Sequence, residues 1–398
     1  MAKCRCIDES VAGEILMVDV VLIASSFFPR VGGVEEHVRR VASELRDRGM
    51  DVVVWTVDQG DDVPTELDGI RVHALPCPTP ARSLRAVTSF AWRLPRAALQ
   101  WRRMLRRDRP RILHVHCFGP NGVWATAIAR IARIPIVVTS HGETFGDANG
   151  VFDQSALLRS SLRRALATAD AVTACSAFTA RDLESRFALS LGRASIIANG
   201  VDLNEPAGEL PPDLPVHYFF ALGRAVATKG FDLLLKAFAC ATLPSDAQLV
   251  IGGDGPELPA LAALAAQLGV AERVRFLGSI GRGQVVAVAK GALAMVVSSR
   301  VESFGIVLLE GWRAGVPVIA TTHGGPATLI NDGVDGWLVD PFDTHALAES
   351  LSRVVDDPVE AAAIGRRGLA RAGEFTWAKI AEQYADVYAS VLAGQQRG

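Results

Sequence analysis

Val18 to Ala24 is an apolar run of strand length, and Gly32-Gly33 closes the loop that follows it. A helix pattern comes next, with Val34, Val38, Val41 and Leu45 spaced four, three and four apart, and Gly49 stops it. Asp51 to Val57 is then a second strand. A strand, a short corner, one helix and another strand form a βαβ unit, which commits the chain to a parallel sheet covered by helices. Further strands are expected at Ile112–His116, Ile136–Thr139, Ala171–Cys175 and Ile196-Ile197. A proline-rich segment from Pro206 to Pro215 interrupts the pattern and reads as a linker. The succession restarts at Tyr218–Leu222 and continues through Gln248–Gly252, Val274–Gly278, Leu293–Val297, Val318–Thr321 and Trp337–Val339. The expected architecture is α/β, with residues 18–205 and 217–376 as separate domains joined by 206–216. At 398 residues the chain is long enough for two cores.

Composition narrows the function. Nearly half of the residues are hydrophobic and about a fifth are charged, which is a folded chain. A formal net charge of -2 argues against bulk nucleic-acid binding. Six cysteines occur without a C-x-x-C pair, and four lie in or beside apolar runs, so reduced buried thiols in a cytoplasmic chain are expected. Cys4-x-Cys6 is too close for an ordinary zinc pair. No apolar run is long enough to span a bilayer. Residues 1–17 lack a signal-peptide core and are expected to be an extension, with Met17 a candidate start.

Candidate site residues lie where strands give way to helices, the place where open α/β sheets gather ligands. In Ser298 to Pro317 a helix is expected near Phe304, with Ser303 as its N-cap and Gly315 and Pro317 as its stop. The amides of Phe304, Gly305 and Ile306 would then face an anion or sugar hydroxyls from an end carrying roughly half a positive charge. Glu302 and Glu310 bracket this turn and are suited to accept hydrogen bonds from two sugars, or from a sugar and a ribose. Gly32-Gly33 is either a plain turn or a phosphate-binding corner; it is not the G-x-G-x-x-G of dinucleotide sites. His141, followed by Gly142 after a strand, is placed to touch a sugar hydroxyl or move a proton. His114 and His116 are weaker candidates: one is expected to face the core, and the pair to point to opposite sides of the sheet unless the strand ends there. No metal is assigned. Arg224 and Lys229 occupy one strand-to-helix turn, which favours a phosphate. Gly253-Asp254-Gly255-Pro256 marks another helix start.

Glu302 to Glu310 resembles the E-x7-E signature of the retaining glycosyltransferases of family 4, and the flanking Ser-Phe-Gly and Ala-Gly-x-Pro-Val-Ile-Ala resemble that family too. Gly-Gly-Val-Glu, His-Gly and Gly-Arg-x4-Lys-Gly match the family in the same order, over almost the whole chain after residue 17. The resemblance implies the GT-B fold, two Rossmann-like domains facing each other across a deep cleft, with a final helix (377–398) crossing back onto the first domain. It implies that Glu302 contacts the transferred sugar, Glu310 the donor ribose, His141 the donor sugar, and Gly32-Gly33 with Arg224 and Lys229 the diphosphate. The implied reaction is sugar transfer from a nucleotide diphosphate sugar (UDP-, GDP- or similar) to a hydroxyl of a small-molecule, lipid or glycan acceptor with retention. Arg224, Lys229, the Gly33 amide and the amides of 304–306 would neutralise the leaving diphosphate without metal or cofactor. The departing phosphate oxygen would take the acceptor proton, and Glu302 would orient the sugar.

Three rivals have distinct signatures. A GT-B epimerase needs no acceptor, a nicotinamide oxidoreductase would want the absent fingerprint, and a sensor would bind donor without turnover. Ten arginines against Asp108 alone fall in 82–111, with Phe90, Leu94, Trp101 and Leu105 at helical spacing. Pro95 is expected to split this stretch into two helices. It reads either as a surface helix packing its stripe on the sheet or as a peripheral membrane or anionic-acceptor face at the inner side of a membrane. Donor sugar, base, acceptor and oligomeric state are not legible.

Overall fold

The computed structural model describes residues 17–30, 32–80, 84–146 and 150–395, with backbone only for 84–86. The expected extension, 1–16, lies outside them. The first series runs β1 (Val20–Ala24), α1 (Gly33–Asp47), β2 (Val52–Val57), β3 (Glu66–Leu67), β4 (Ile70–Leu75), α2 (Leu84–Asp108), β5 (Ile112–His116), α3 (Pro120–Ala132), β6 (Ile136–Ser140), α4 (Glu143–Gly146), α5 (Val151–Gln154), α6 (Ala156–Thr168), β7 (Ala171–Ala174), α7 (Ala177–Phe187) and β8 (Ala194–Ile196). The second runs β9 (Tyr218–Leu222), α8 (Phe231–Cys240), β10 (Gln248–Gly252), α9 (Leu258–Gln267), β11 (Val274–Gly278), α10 (Arg282–Gly291), β12 (Ala294–Val297), α11 (Ile306–Ala314), β13 (Val318–Thr321), α12 (Pro326–Leu329), β14 (Trp337–Val339), α13 (Thr344–Asp356) and α14 (Pro358–Ala372). A last helix, α15 (Trp377–Gln395), follows.

The first sheet is ordered β3-β4-β2-β1-β5-β6-β7-β8 and the second β11-β10-β9-β12-β13-β14. Every pairing is parallel except the short β3–β4 hairpin, which the sequence reading did not identify. The central strands are buried on both faces, which is why they read as continuous apolar runs. Along β1, Val20, Leu22 and Ala24 pack with α1 and α15, whereas Val21 and Ile23 pack with Trp101, α3 and α6 on the other face. In the second domain, Phe219 and Ala221 meet α8 and α13, while Tyr218 and Phe220 meet α10 and α11.

The chain crosses between the halves twice. Val201 N–H donates to the Phe375 carbonyl at 2.7 Å, so the two crossings run side by side. After the second, α15 lies on α1 and buries Tyr384, Tyr388 and Val391 against the first sheet. Residues 202–217 form neither helix nor strand.

The 82–111 stretch contains one continuous helix, α2, with Pro95 inside it. The carbonyl that Pro95 leaves without an amide belongs to exposed Ala91, where water can satisfy it. The second half of α2 is held by Trp101, which packs edge-on against Trp55 and donates to the Pro76 carbonyl at 3.0 Å. Trp55 in turn donates to Asp108, the lone acid of the stretch, at 2.9 Å. The first half stands off the core: Trp92 is 72% exposed, and Val87, Leu94 and Leu99 are exposed too. The thiols are not all buried as expected. Cys175 is buried, but Cys240 at the end of α8 is exposed.

Candidate active site

The loops after β1, β6 and β7 of the first domain meet the loop after β12 of the second. That last loop is built by its backbone. Glu302 N–H donates to the His323 carbonyl at 3.0 Å, and Gly325 N–H returns to the Glu302 carbonyl at 2.8 Å. Gly305 then takes φ 93°, a left-handed conformation that costs a Cβ-bearing residue. This turn delays α11 to Ile306, so Gly305 and not Ser303 is the N-cap. Ser303 is instead a junction between domains: its carbonyl accepts from the Ser176 hydroxyl at 2.6 Å and the Thr179 hydroxyl at 3.4 Å, at the start of α7. Phe304 is buried against Phe375, so only its backbone is available to a ligand. The amides of Ser303, Phe304, Gly305 and Ile306 donate no hydrogen bond among the described residues.

Glu302 is half-buried and receives Lys229 Nζ at 2.7 Å and the Ser299 hydroxyl at 2.9 Å. Lys229 reaches it from the turn after β9, with its stem along Gly223. Arg224, on the same turn, is exposed, and its guanidinium makes no hydrogen bond or ion pair among the described residues. Arg300 is committed elsewhere, gripping both oxygens of Asp232 at 2.7 and 2.8 Å and tying down the 227–229 turn. One free and one carboxylate-paired cation therefore lie on the turn that meets the Glu302 loop.

The first domain presents Gly33 and His141 to that loop. A Cβ built on Gly33 would stand 3.0 Å from Ile306 Cδ1. Gly32, extended at φ -165°, is the N-cap of α1. At Gly142, φ is 91°, and a Cβ would overlap Ser303 Oγ and stand 2.5 Å from Ser303 Cβ. The His141 turn is fastened by Glu143, a residue whose role the sequence reading missed. Its carboxyl group accepts from the amides of Phe118 and His141 at 2.9 and 2.8 Å and from the Ser140 hydroxyl at 3.0 Å. Burial pushes that carboxyl up from its ordinary range, against the pull of those donors.

Behind His141 lies an imidazole cluster that the sequence reading did not assemble. His116 Nδ1 is 3.2 Å from His141 Nε2, and the His114 and His116 rings lie tilted against each other with centroids 4.0 Å apart. His114 and His116 therefore point to one side of the sheet, not to opposite sides, because residues two apart on a strand share a face. His37 of α1 closes the group, held by Asn199 at 2.7 Å and Tyr384 of α15 at 3.1 Å. Burial drives all four imidazoles toward the neutral form, with His37 lowered to about 4.

Glu310 lies inside α11, about one turn after its first residue, Ile306. It is buried and ion-paired with Arg313, while Arg282 Nη2 stands 3.9 Å away. Burial raises its carboxyl above the ordinary range, against Arg313 and Arg282. Arg282 also reaches across to Glu36 of α1 at 3.1 Å. Reaching a ribose requires Glu310 to exchange its arginine contacts for hydroxyls.

The comparisons agree across the chain. Residues 209–371 match the model of "Glycosyl transferases group 1", and residues 31–205 match that of "Glycosyltransferase Family 4". A D-inositol 3-phosphate glycosyltransferase of Thermobispora bispora is 29% identical, over 91% of this chain and 90% of that protein. A GDP-mannose-dependent alpha-(1-6)-phosphatidylinositol monomannoside mannosyltransferase of Mycolicibacterium smegmatis is 28% identical, over 88% of this chain and 92% of that protein. In fold, the chain matches the sucrose-phosphate synthase of Thermosynechococcus elongatus with a TM-score of 0.78 at 23% identity, over 94% of this chain and all of that one.

Proposed function

The chain belongs to the group 1 glycosyltransferases of family 4, with the GT-B fold, and from that premise we propose that it moves a sugar from a nucleotide diphosphate sugar to a small-molecule or lipid hydroxyl with retention at the anomeric carbon. One observation supports this most: Lys229 on Glu302 at 2.7 Å, beside free Arg224 and four unpaired amides, opposite Gly33 and His141 of the other domain. Arg224 and Lys229 meet the diphosphate, assisted by the amides of 304–306 and of Gly33. As the sugar–oxygen bond lengthens, charge grows on the leaving phosphate, and fixed donors of this kind lower the barrier by about 3 kcal/mol each. Glu302, held by Lys229 and Ser299, orients the sugar. His141 lines the sugar side, and Glu310 turns to the ribose once hydroxyls replace its contacts with Arg313 and Arg282. The departing phosphate oxygen takes the acceptor proton, so this reading requires neither cofactor nor catalytic metal.

Phosphorylated or lipid-linked polyols are the favoured acceptor class, since the two named relatives act on an inositol 3-phosphate and a phosphatidylinositol mannoside. Among the described residues no helix is long and apolar enough to cross a membrane. The outer half of α2 supports a peripheral contact from the cytoplasmic side instead. Trp92, Arg96, Leu99 and Arg103 share its exposed face, and the Arg96 guanidinium lies 5.1 Å over Trp92. Such a face suits an anionic interface.

The test is a thermal-shift panel of nucleotide sugars, followed by transfer assays with the best donor. Arg224→Ala, Lys229→Ala and Glu302→Ala should each lose at least about a hundredfold in turnover. Near wild-type turnover in all three would overturn the assignment, and product formed without acceptor would favour the epimerase.

A further inference from the structure

One ring nitrogen from each of His37, His116 and His141 lies within 4.8 Å of the other two. Three different elements supply these rings: α1, β5 and the turn after β6. Their arrangement is close to that of a metal centre. Zinc–nitrogen bonds of about 2.0–2.1 Å at tetrahedral angles set two ligand nitrogens about 3.3 Å apart. His116 Nδ1 and His141 Nε2 are already 3.2 Å apart.

The surroundings also fit. A ligating histidine is oriented by a hydrogen bond on its other nitrogen. His37 Nδ1 donates to the Asn199 side-chain oxygen at 2.7 Å, which orients the ring and leaves the lone pair on Nε2; that nitrogen exchanges its 3.1 Å contact with the Tyr384 hydroxyl for a cation. His116 Nδ1 faces His141, while its Nε2 is buried without a partner among the described residues, so this ring is oriented by its place on β5 and not by a second hydrogen bond. His114 is not one of the converging rings; Tyr388 and Thr139 bond its two nitrogens at 2.6 Å each. His141 alone of the three is partly exposed, so the fourth coordination position opens toward the cleft.

We propose that His37, His116 and His141 form a three-histidine site for one borderline transition-metal cation, such as Zn²⁺, Co²⁺ or Ni²⁺, separate from the diphosphate clamp. Three imidazoles without a carboxylate or thiolate favour such ions over Mg²⁺ or Ca²⁺. Given the preceding assignment of His141 to the donor sugar, an occupied site pins that ring and opposes donor binding. The cation is then an inhibitor of transfer and not its catalyst.

The experiment titrates metal-free full-length protein with Co²⁺ and follows the visible d–d spectrum. One equivalent should give the intense bands of a four-coordinate centre, without the near-ultraviolet thiolate charge-transfer band that exposed Cys240 would add. Zn²⁺ should displace it, and Mg²⁺ should not. His141→Gln, a change at the partly exposed ligand, should weaken binding at least about tenfold, as loss of even an outer-shell partner can. No four-coordinate spectrum in the wild type, or an unchanged affinity in His141→Gln, overturns the site. If Co²⁺ binds as described yet leaves donor affinity untouched, the site stands and the placement of His141 against the donor sugar falls.

Discussion

Lys229→Met removes one charge and keeps most of the stem along Gly223, so it isolates what the ammonium does. In the resting protein that ammonium sits 2.7 Å from Glu302. At an effective dielectric near 20 the gross attraction is about 6 kcal/mol. Most of it is offset by desolvation and screening, since the two side chains remain 27% and 13% exposed. Glu302 also keeps the Ser299 hydroxyl at 2.9 Å. The net loss of stability should be about 1–2 kcal/mol, which a domain with the usual margin of about 5–15 kcal/mol survives. Catalysis should suffer more. Losing one fixed cation at a developing diphosphate costs about 3 kcal/mol, or roughly 150-fold in kcat/KM. The assay is initial-rate transfer beside a denaturant melt of the same preparation. A double-mutant cycle with Glu302→Gln separates two roles. If Lys229 acts on the diphosphate as well as holding Glu302, the double variant loses clearly more than the poorer single one, though less than the sum, because the pair is in contact at 2.7 Å. If Lys229 serves only to position Glu302, the double variant is no worse than the poorer single one. A kcat/KM within about threefold of wild type would refute the clamp.

Gly142→Ala should lower stability by about 1–2 kcal/mol and reduce transfer, because φ 91° disfavours a Cβ and that Cβ overlaps Ser303. Adding Ser303→Gly should recover the steric part and leave the backbone part, and no recovery would place the damage elsewhere. Glu36 responds to pH. Burial alone would raise its carboxyl, but hydrogen bonds and charge from Arg39, Arg282 and Arg40 outweigh it and hold the group below its ordinary 4.5. A depressed carboxyl adds stability that is present above 4.5 and lost as pH falls through the lower folded value. Arg282→Gln should therefore cost about 1–2 kcal/mol near pH 7. The deficit, read from urea midpoints, should shrink below pH 4.5, and a constant deficit would contradict the pairing. Trp92→Ala with Leu99→Ala should abolish flotation with anionic vesicles at low salt while leaving the melt unchanged, and wild-type protein that does not float would end the membrane reading.

Much of the α/β architecture was legible because strands and helices advertise themselves by period, and their order restricts the topology. The strands from Tyr218 to Leu222, Gln248 to Gly252 and Trp337 to Val339 lie where the apolar runs put them. Pro95 misled because its cost depends on whether the orphaned carbonyl meets water, which the local sequence does not state. Ser303 misled for a related reason: a Ser-Phe-Gly start suits a capped helix, but the left-handed turn at Gly305 moves the first helical residue on. His114 and His116 were misplaced by an error of strand geometry, not by any silence of the sequence.

Local spacing by itself determined two strand-and-helix series, a glycine-bearing or charged turn above each, and the family to which the ordered motifs point. Only the folded chain decided which turn residues meet: Ser176 on Ser303, Gly33 against Ile306, Arg282 between Glu36 and Glu310, and His37 beside His116 and His141. Hydrogen-bond and charge energies depend on distances of a few ångströms between groups far apart along the chain. No period or motif encodes such distances, because they exist only once both sheets have packed their helices and the last helix has returned across α1.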